Sequence, residues 1–462
     1  MRPGNVDTRC MYVRVVGRAA RDAFGTDEDG AADRLGVGGR DGVGGRDGGG
    51  SVRDGLAGIT ERVRAARALL DRPLTSYYVI VGITTLLLCL GLVMVLSTAS
   101  VTDLIYGESA YHDFEWQLAG SAVGLPIMWL AARSSPRLFR AAAYPLIAVS
   151  IIGLALTIIP GVAHTQNGAS RWIAIGPVTF QPSELAKLAL AIWGADLLAR
   201  KEKLGMLADW RHMLIPLLPG TGLLAMLVMA GNDVGTTLIL LVVFLALLWI
   251  AGTPARVFAA LLILMGLVLL LLIVTAGYRS ARITDFLHPQ STGATGSTNW
   301  QANQGKYALG SGGLFGVGLG GSREKWGWLP ESTSDFIFAI IGEEFGLVGT
   351  LCVTALYGGL AFAGLRVARR APDAFSRLAS AAITAWIVVQ AMVNIGAVIG
   401  VLPITGIPLP LVSKGLSSVL VTMTGLGMLM SFARREPGAS QALAAHGPSM
   451  GGRALSWLRR GG

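Results

Sequence analysis

Ten runs of about twenty mostly apolar residues limit this chain to one class of fold; they lie near 77–96, 116–132, 139–160, 183–199, 213–230, 234–251, 257–277, 345–365, 378–401 and 417–433. Lipid offers a backbone amide no water, so a segment that crosses it must satisfy its own hydrogen bonds as a helix, or those of its neighbours in a closed barrel. Apolar residues make up 52% of the 462 and charged ones only 14%, which excludes an ordinary soluble domain. The expected architecture is all-α and polytopic: ten transmembrane helices within 77–433, and a long extracytoplasmic loop, 278–334, between the seventh and eighth. The two runs at 213–251 are separated only by the polar break Gly231-Asn232-Asp233.

Orientation follows from the short loops. One set carries Arg133, Arg137, Arg140, Arg200, Lys201, Lys203, Arg211, Arg256, Arg366, Arg369, Arg370 and Arg377, and the opposite set carries only Arg171 and Lys414. The basic set is cytoplasmic by the positive-inside rule, and an even number of spans leaves both termini on that side. The net charge of +10 is then topology and attraction to anionic membrane lipids, with no nucleic-acid partner implied. Residues 1–76 read as a disordered cytoplasmic tail, with a tandem Gly-Val-Gly-Gly-Arg-Asp repeat at 36–47 and a short basic juxtamembrane helix near 59–70. Residues 434–462 read as a second such tail. The three cysteines, Cys10, Cys89 and Cys352, give no extracytoplasmic pair to bridge.

Chemistry concentrates on the outer face. Leu329 to Gly346 places Glu331 and Asp335 before an apolar run, and an acid at that edge is expensive to leave unpaired. If the segment is helical, the two acids share a face and can divide labour, one orienting and one accepting a proton; the alternative is a helix cap. Gln166 to Lys187 carries the turn signals Asn167-Gly168 and Gly176-Pro177, then a helix start at Pro182-Ser183-Glu184. Arg171 and Lys187 in that segment suit a diphosphate, or else anchor and snorkel at the interface. The loop 278–334 adds Arg279, Arg282, Lys306, Arg323 and Lys325 among many glycines, which reads either as an anion-binding surface or as flexible loop with solvated charges. For Asp233 and the pair Glu343-Glu344, buried polar pairing between helices is the favoured reading.

The segments Asn167-Gly168-Ala169 to Lys187, Tyr278 to Pro289, Ser311 to Gly320, Leu329 to Gly346 and Leu402 to Ser418 resemble, in order and spacing, the SEDS family of FtsW, RodA and SpoVE, over about residues 75–435. The stretch Gly91 to Ser100 is similar to the division branch. The resemblance implies a glycosyltransferase that polymerises lipid II, the undecaprenyl-diphosphate disaccharide pentapeptide, at the outer face of the cytoplasmic membrane, in septal wall synthesis. It implies Asp335 as catalytic residue, and Arg171 and Lys187 as substrate-binding cations, with Lys325, Glu331, Gln181, Ser183 and Glu184 as further substrate-binding candidates. The implied partners are a class B penicillin-binding protein transpeptidase and other divisome membrane proteins.

Four positions depart from the family pattern: Lys414 and Leu416 stand where tyrosine and glycine are usual, Asn232 stands where proline is usual before Asp233, and Gly231 where a polar side chain is common. A lipid II flippase and an elongation polymerase of the RodA type are the competing functions. No ligand set commits the chain to a metal, and magnesium or manganese held by Glu331, Asp335 or Asp233 enters only as a candidate cofactor.

Overall fold

A computed structural model describes residues 74–105, 107–159, 163–166, 169–176, 178–274 and 298–439. The juxtamembrane helix, the repeat at 36–47, Cys10, Arg279, Arg282 and the expected tails up to 73 and from 440 lie outside the described residues; 434–439, expected within the second tail, instead continue the turn after the last helix, with Glu436 and Ala439 buried. The elements are α1 (Thr75–Ile105), α2 (His112–Arg133), α3 (Pro136–Leu156), β1 (Ala163–Gln166), β2 (Ala169–Ile175), β3 (Val178–Phe180), α4 (Pro182–Lys203), α5 (Trp210–Leu214), α6 (Leu217–Ala230), α7 (Val234–Ile250), α8 (Ala255–Val274), α9 (Thr298–Ser311), α10 (Ile337–Arg370), α11 (Ala374–Val398) and α12 (Leu416–Ala433).

The described parts of the apolar runs fall on these helices, the run at 213–230 on two of them, α5 and α6. By length and hydropathy, six helical segments among the described residues are able to cross a membrane: α1, α3, α5 with α6, α10, α11 and α12. Their outward faces carry large apolar side chains such as Leu86, Val93, Ile152 and Leu351, the arrangement expected where the surrounding solvent is lipid.

The most enclosed helix is the one whose apolar pattern is most interrupted. In α4, residues from Pro182 to Ala199 are almost all buried, although Glu184, Lys187 and Asp196 lie among them. It packs against α3, α6, α7, α11 and α12. Its charges are tolerated inside because each is neutralised there: Lys187 by Glu184, and Asp196 by Arg140 and Arg200, all at 2.7 Å.

One correction to the all-α expectation is a three-stranded antiparallel sheet, β1-β2-β3, with Ile173 paired to Ala163 on one side and Phe180 on the other. The two turn signals at Asn167-Gly168 and Gly176-Pro177 bracket a strand's length of residues, so the segment between them pairs in both directions.

A second correction concerns the glycine-rich stretch of the long loop. Residues 298–311 form α9, and 312–318 bind backbone to backbone against a break in α10 at Gly346, which sits at φ +66°, ψ −160°. The break frees two carbonyls and two amides. Val317 and Gly318 donate to the carbonyls of Glu343 and Glu344 at 2.9 and 3.1 Å, while Leu347 and Val348 donate to Gly313 and Leu314 at 2.9 and 3.2 Å. The glycines serve this close approach: a Cβ on Gly346 would lie 2.4 Å from the Gly316 nitrogen.

Candidate active site

The polar residues meet at the end of the bundle where α4 and α10 begin and α11 ends. Lys187, 1% exposed, donates from Nζ to Glu184 Oε1 at 2.7 Å and to Gln390 Oε1 at 2.8 Å, and lies 5.5 Å from the Trp386 ring centroid. Gln390 Oε1 also accepts from Trp386 Nε1 at 2.9 Å, while its Nε2 donates to the Pro408 carbonyl at 3.0 Å. One helical turn later, Asn394 Nδ2 donates 2.7 Å to the carbonyl of Asp335 and 2.7 Å to that of Ile407. Lys187 and Asp335 are therefore tied together through two amides spaced four residues apart on α11, with the 403–410 segment held between them.

Asp335 is half-buried in a turn that spans 331–336. The N-cap of α10 is Phe336, which makes no side-chain capping bond. Gly406, at φ +70°, faces the carboxylate, and a Cβ there would stand 3.4 Å from Asp335 Oδ2. The segment after it is stapled to the same turn: Ser413 Oγ donates to the Ser334 carbonyl at 2.5 Å, the Lys414 amide to Thr333 at 3.0 Å, and Gln117 bridges Ser413 and Gly415.

Arg171 sits on β2, which packs on α4, and its Nη2 donates to the Asn232 carbonyl at 2.8 Å. Asn232 has φ +61°, a conformation closed to proline, which accounts physically for the departure at this position. Gln181 joins the sheet to two helices, its backbone amide donating to Ser417 Oγ at 3.1 Å and its Nε2 donating to Asp233 Oδ2 at 3.4 Å. Asp233 caps α7 through the Thr236 amide and hydroxyl, at 3.0 and 2.8 Å. Ser183 Oγ, Glu184 Oε2, Asn394 Oδ1 and Arg171 Nε are buried polar atoms without a hydrogen-bond partner among the described residues. Each leaves hydrogen-bonding capacity open in the interior.

Three expectations are corrected by geometry. Lys325 is no mobile loop cation: 4% exposed, it donates to Ser97 Oγ, the Gly320 carbonyl and Glu344 Oε1 at 3.0, 2.8 and 3.0 Å, locking the loop onto α1 and α10. Glu331 shares no helical face with Asp335, because it lies in the turn at φ +55°, exposed, with its Oε2 taking the Ser334 hydroxyl at 2.6 Å. Lys187 is an enclosed member of an ion pair, not a free vestibule cation. Of the buried interhelical pairing expected for Glu343 and Glu344, Glu344 shows it with Ser97 of α1 and also takes Lys325, whereas Glu343 is buried against the loop, accepting from Ser322 Oγ at 2.5 Å and the Arg323 amide at 2.9 Å.

A family profile described as cell cycle protein, covering FtsW, RodA and SpoVE, matches residues 77–437. The chain belongs to the FtsW/RodA/SpoVE family. A relative from Mycobacterium tuberculosis named probable peptidoglycan glycosyltransferase FtsW is 42% identical over 380 residues, 82% of this chain and 71% of the relative. Stage V sporulation protein E of Bacillus subtilis is 35% identical, over 77% of this chain and 96% of its own. Among solved structures, a chain of a peptidoglycan synthase complex, described as coordinating polymerization and crosslinking, aligns at TM-score 0.63 and 27% identity over 77% of this chain and 96% of its own. The rod shape determining protein RodA of Thermus thermophilus aligns at TM-score 0.55 and 27% identity, with the same coverages.

Within this member of the family, Gln390 and Asn394 are the site residues that sequence reading missed. Two amides four residues apart inside an apolar run were the available signal, since each needs a partner in lipid. Of the three acids named for a metal, Asp233 caps α7 and Glu331 holds Ser334. Among the described residues, no three His, Cys, Asp or Glu side chains are grouped to hold an ion.

Proposed function

We propose that this chain is a multi-pass membrane glycosyltransferase that polymerises lipid II at the outer face of the cytoplasmic membrane during septal wall synthesis, with ten spans and both termini cytoplasmic. Family membership and the FtsW relative at 42% identity support the reaction class. The observation that carries the site is the Lys187–Gln390–Asn394–Asp335 connection, which fixes the acid's backbone from the interior of the bundle.

In this reading Asp335 takes the proton of the acceptor sugar's 4-hydroxyl. The freed oxygen forms a bond to the donor's anomeric carbon, and the bond from that carbon to the polyprenyl diphosphate breaks, with inversion. Arg171 lies at the same end, on the sheet beside α4, and serves the charge that grows on the leaving diphosphate. Lys187 acts one step back, as a positioning residue through Gln390. A class B penicillin-binding protein is the partner that crosslinks the product, a role supported by the likeness to the synthase complex.

The test is the purified full chain with its transpeptidase and labelled lipid II. Asp335→Asn is expected to lower polymer formation by about 100-fold to 10,000-fold. Wild-type rates in that variant refute the assignment, and leaflet transfer of lipid II in liposomes without polymer supports the flippase instead.

A further inference from the structure

A second polar site lies at the opposite, basic end of the bundle, roughly 30 Å along α11 from Asn394, at 1.5 Å per residue. There a cavity of about 250 Å³ opens between the start of α3, the end of α4, the start of α11 and the residues after α12. Arg137, Arg140, Lys203 and Arg435 line it with a single acid, Asp373, and Phe375 contributes to its apolar wall.

Of the acids nearby, Asp196 and Asp373 are already committed, and Glu436, next in the chain to Arg435, is buried with its Oε1 unpartnered among the described residues. Asp196 is wholly buried and shared at 2.7 Å by Arg140 and Arg200. Asp373 spends both oxygens on Ser376, capping α11 at 3.0 and 2.8 Å. Arg137 and Lys203 make no ion pair among the described residues. Arg435 donates to the Ser134 carbonyl at 3.3 Å, and burial together with its neighbour Arg434 lowers its pKa, an excess of positive charge that Asp373 offsets only in part. The start of α3, with Pro136 in its first turn and no side-chain cap, adds the positive end of a helix.

We propose that this cavity binds a phosphate group, and that its source is the headgroup of an anionic lipid in the adjoining leaflet. Leu138, next to Arg137, is 57% exposed, and Trp129 one turn before the end of α2 is 51% exposed. Acyl chains therefore have apolar helix surface to lie against beside the cationic opening. Basic pockets between transmembrane helices on the cytoplasmic side are suited to such headgroups. The site is independent of the glycosyl-transfer reading, since it shares no residue with the Asp335 network.

The experiment uses the full chain in phosphatidylcholine vesicles with and without phosphatidylglycerol, and reads lipid retained after extraction by native mass spectrometry. Arg137→Gln with Lys203→Gln is expected to weaken phosphatidylglycerol retention by about fivefold for each cation removed. Arg256→Gln with Arg369→Gln, two exposed basic residues outside the cavity, is expected to leave it within about twofold, because non-specific surface attraction is spread over many charges. In a second arm, inorganic phosphate is added to detergent-solubilised protein and melting is followed. Retention lost only in the cavity variant supports the lipid source. A phosphate-dependent melting shift abolished by the same variant, without lipid retention, overturns the lipid source in favour of a free phosphate. Equal losses in both double variants, or no binding in either arm, overturn the site. The melting temperature of each variant, expected to match the parent because all four residues are exposed, separates lost binding from lost fold.

Discussion

Asn394→Ala tests whether the interior amides position Asp335 for the proton transfer proposed for it. Asn394 is 2% exposed, and its Nδ2 is the shared donor to the carbonyls of Asp335 and Ile407, each at 2.7 Å. A buried acceptor that loses its donor costs about 1–3 kcal/mol, so two carbonyls set an upper bound near 6 kcal/mol. Asp335 is only half-buried, and water entering from its side offsets part of that, which brings the expected loss of stability to about 2 kcal/mol. The effect on turnover is larger. With its backbone anchor gone, the 331–336 turn is free to move, and a displacement of about 1 Å at a reacting group costs on the order of 100-fold. The assay is initial-rate polymerisation of labelled lipid II by the full chain with its transpeptidase, alongside a melting curve to normalise for folded protein. Turnover is expected to fall about 100-fold with KM nearly unchanged, the pattern of an interaction made for the transition state. Asn394→Asp, close in shape but unable to donate when ionised, is expected to be no better. Wild-type turnover in Asn394→Ala, or a loss explained fully by the unfolded fraction, refutes the positioning argument.

Breaking the buried pair by Lys187→Met strands the Glu184 carboxylate and is expected to cost about 3–5 kcal/mol in a denaturation assay, whereas Lys187→Met with Glu184→Gln regains most of that. Gly346→Ala meets both a strained φ of +66° and the Gly316 nitrogen at 2.4 Å, so it is expected to release the 312–318 segment and raise its protease sensitivity; Gly313→Ala, at φ +55° with open space around its Cβ, carries only the backbone strain of about 1–2 kcal/mol. For Glu324, burial first and Glu343 second raise the pKa above 4.5. The folded chain therefore holds this proton to higher pH than the unfolded one, and the contribution to stability falls as pH rises from 4.5 through the raised value. Glu324→Gln is expected to flatten that slope and to stabilise the protein at neutral pH, read from melting temperatures across the same window.

The helices were legible because an apolar run of about twenty residues has few stable forms in lipid. The sheet was not, since Ala169–Ile175 is apolar enough to extend the neighbouring runs and only its flanking turn dipeptides marked it as a strand. The loop glycines were misread for a different reason. Their role depends on Gly346, about thirty residues further on, breaking α10 at the point where the two backbones meet. Asp335 and Lys187 stood out as charges at the edges of apolar runs, but sequence gave no sign of how enclosed each one is. Lys325 has the composition of a substrate-binding cation, and Glu344 cancels it from the next helix.

The two departures at Lys414 and Leu416 find their explanation on α2. Lys414 Nζ pairs with Asp113, whose amide in turn donates to Asp103 Oδ2 at 3.0 Å at the end of α1. Leu416 fills the space above Gly120: a Cβ at that glycine would stand 2.3 Å from the Leu416 Cδ1. A larger residue on one helix is thus met by an absent side chain on its neighbour, and an added cation by an acid seven residues away from that glycine. Both accommodations lie at the contact of α2 with α12 and the residues just before it. The Lys414 amide still binds Thr333, a bond that any residue other than proline supplies. The departures therefore alter how α2 meets α12 while the backbone contacts that hold the acid are kept, so their consequence falls on what that face of the bundle touches, not on the proton transfer assigned to Asp335.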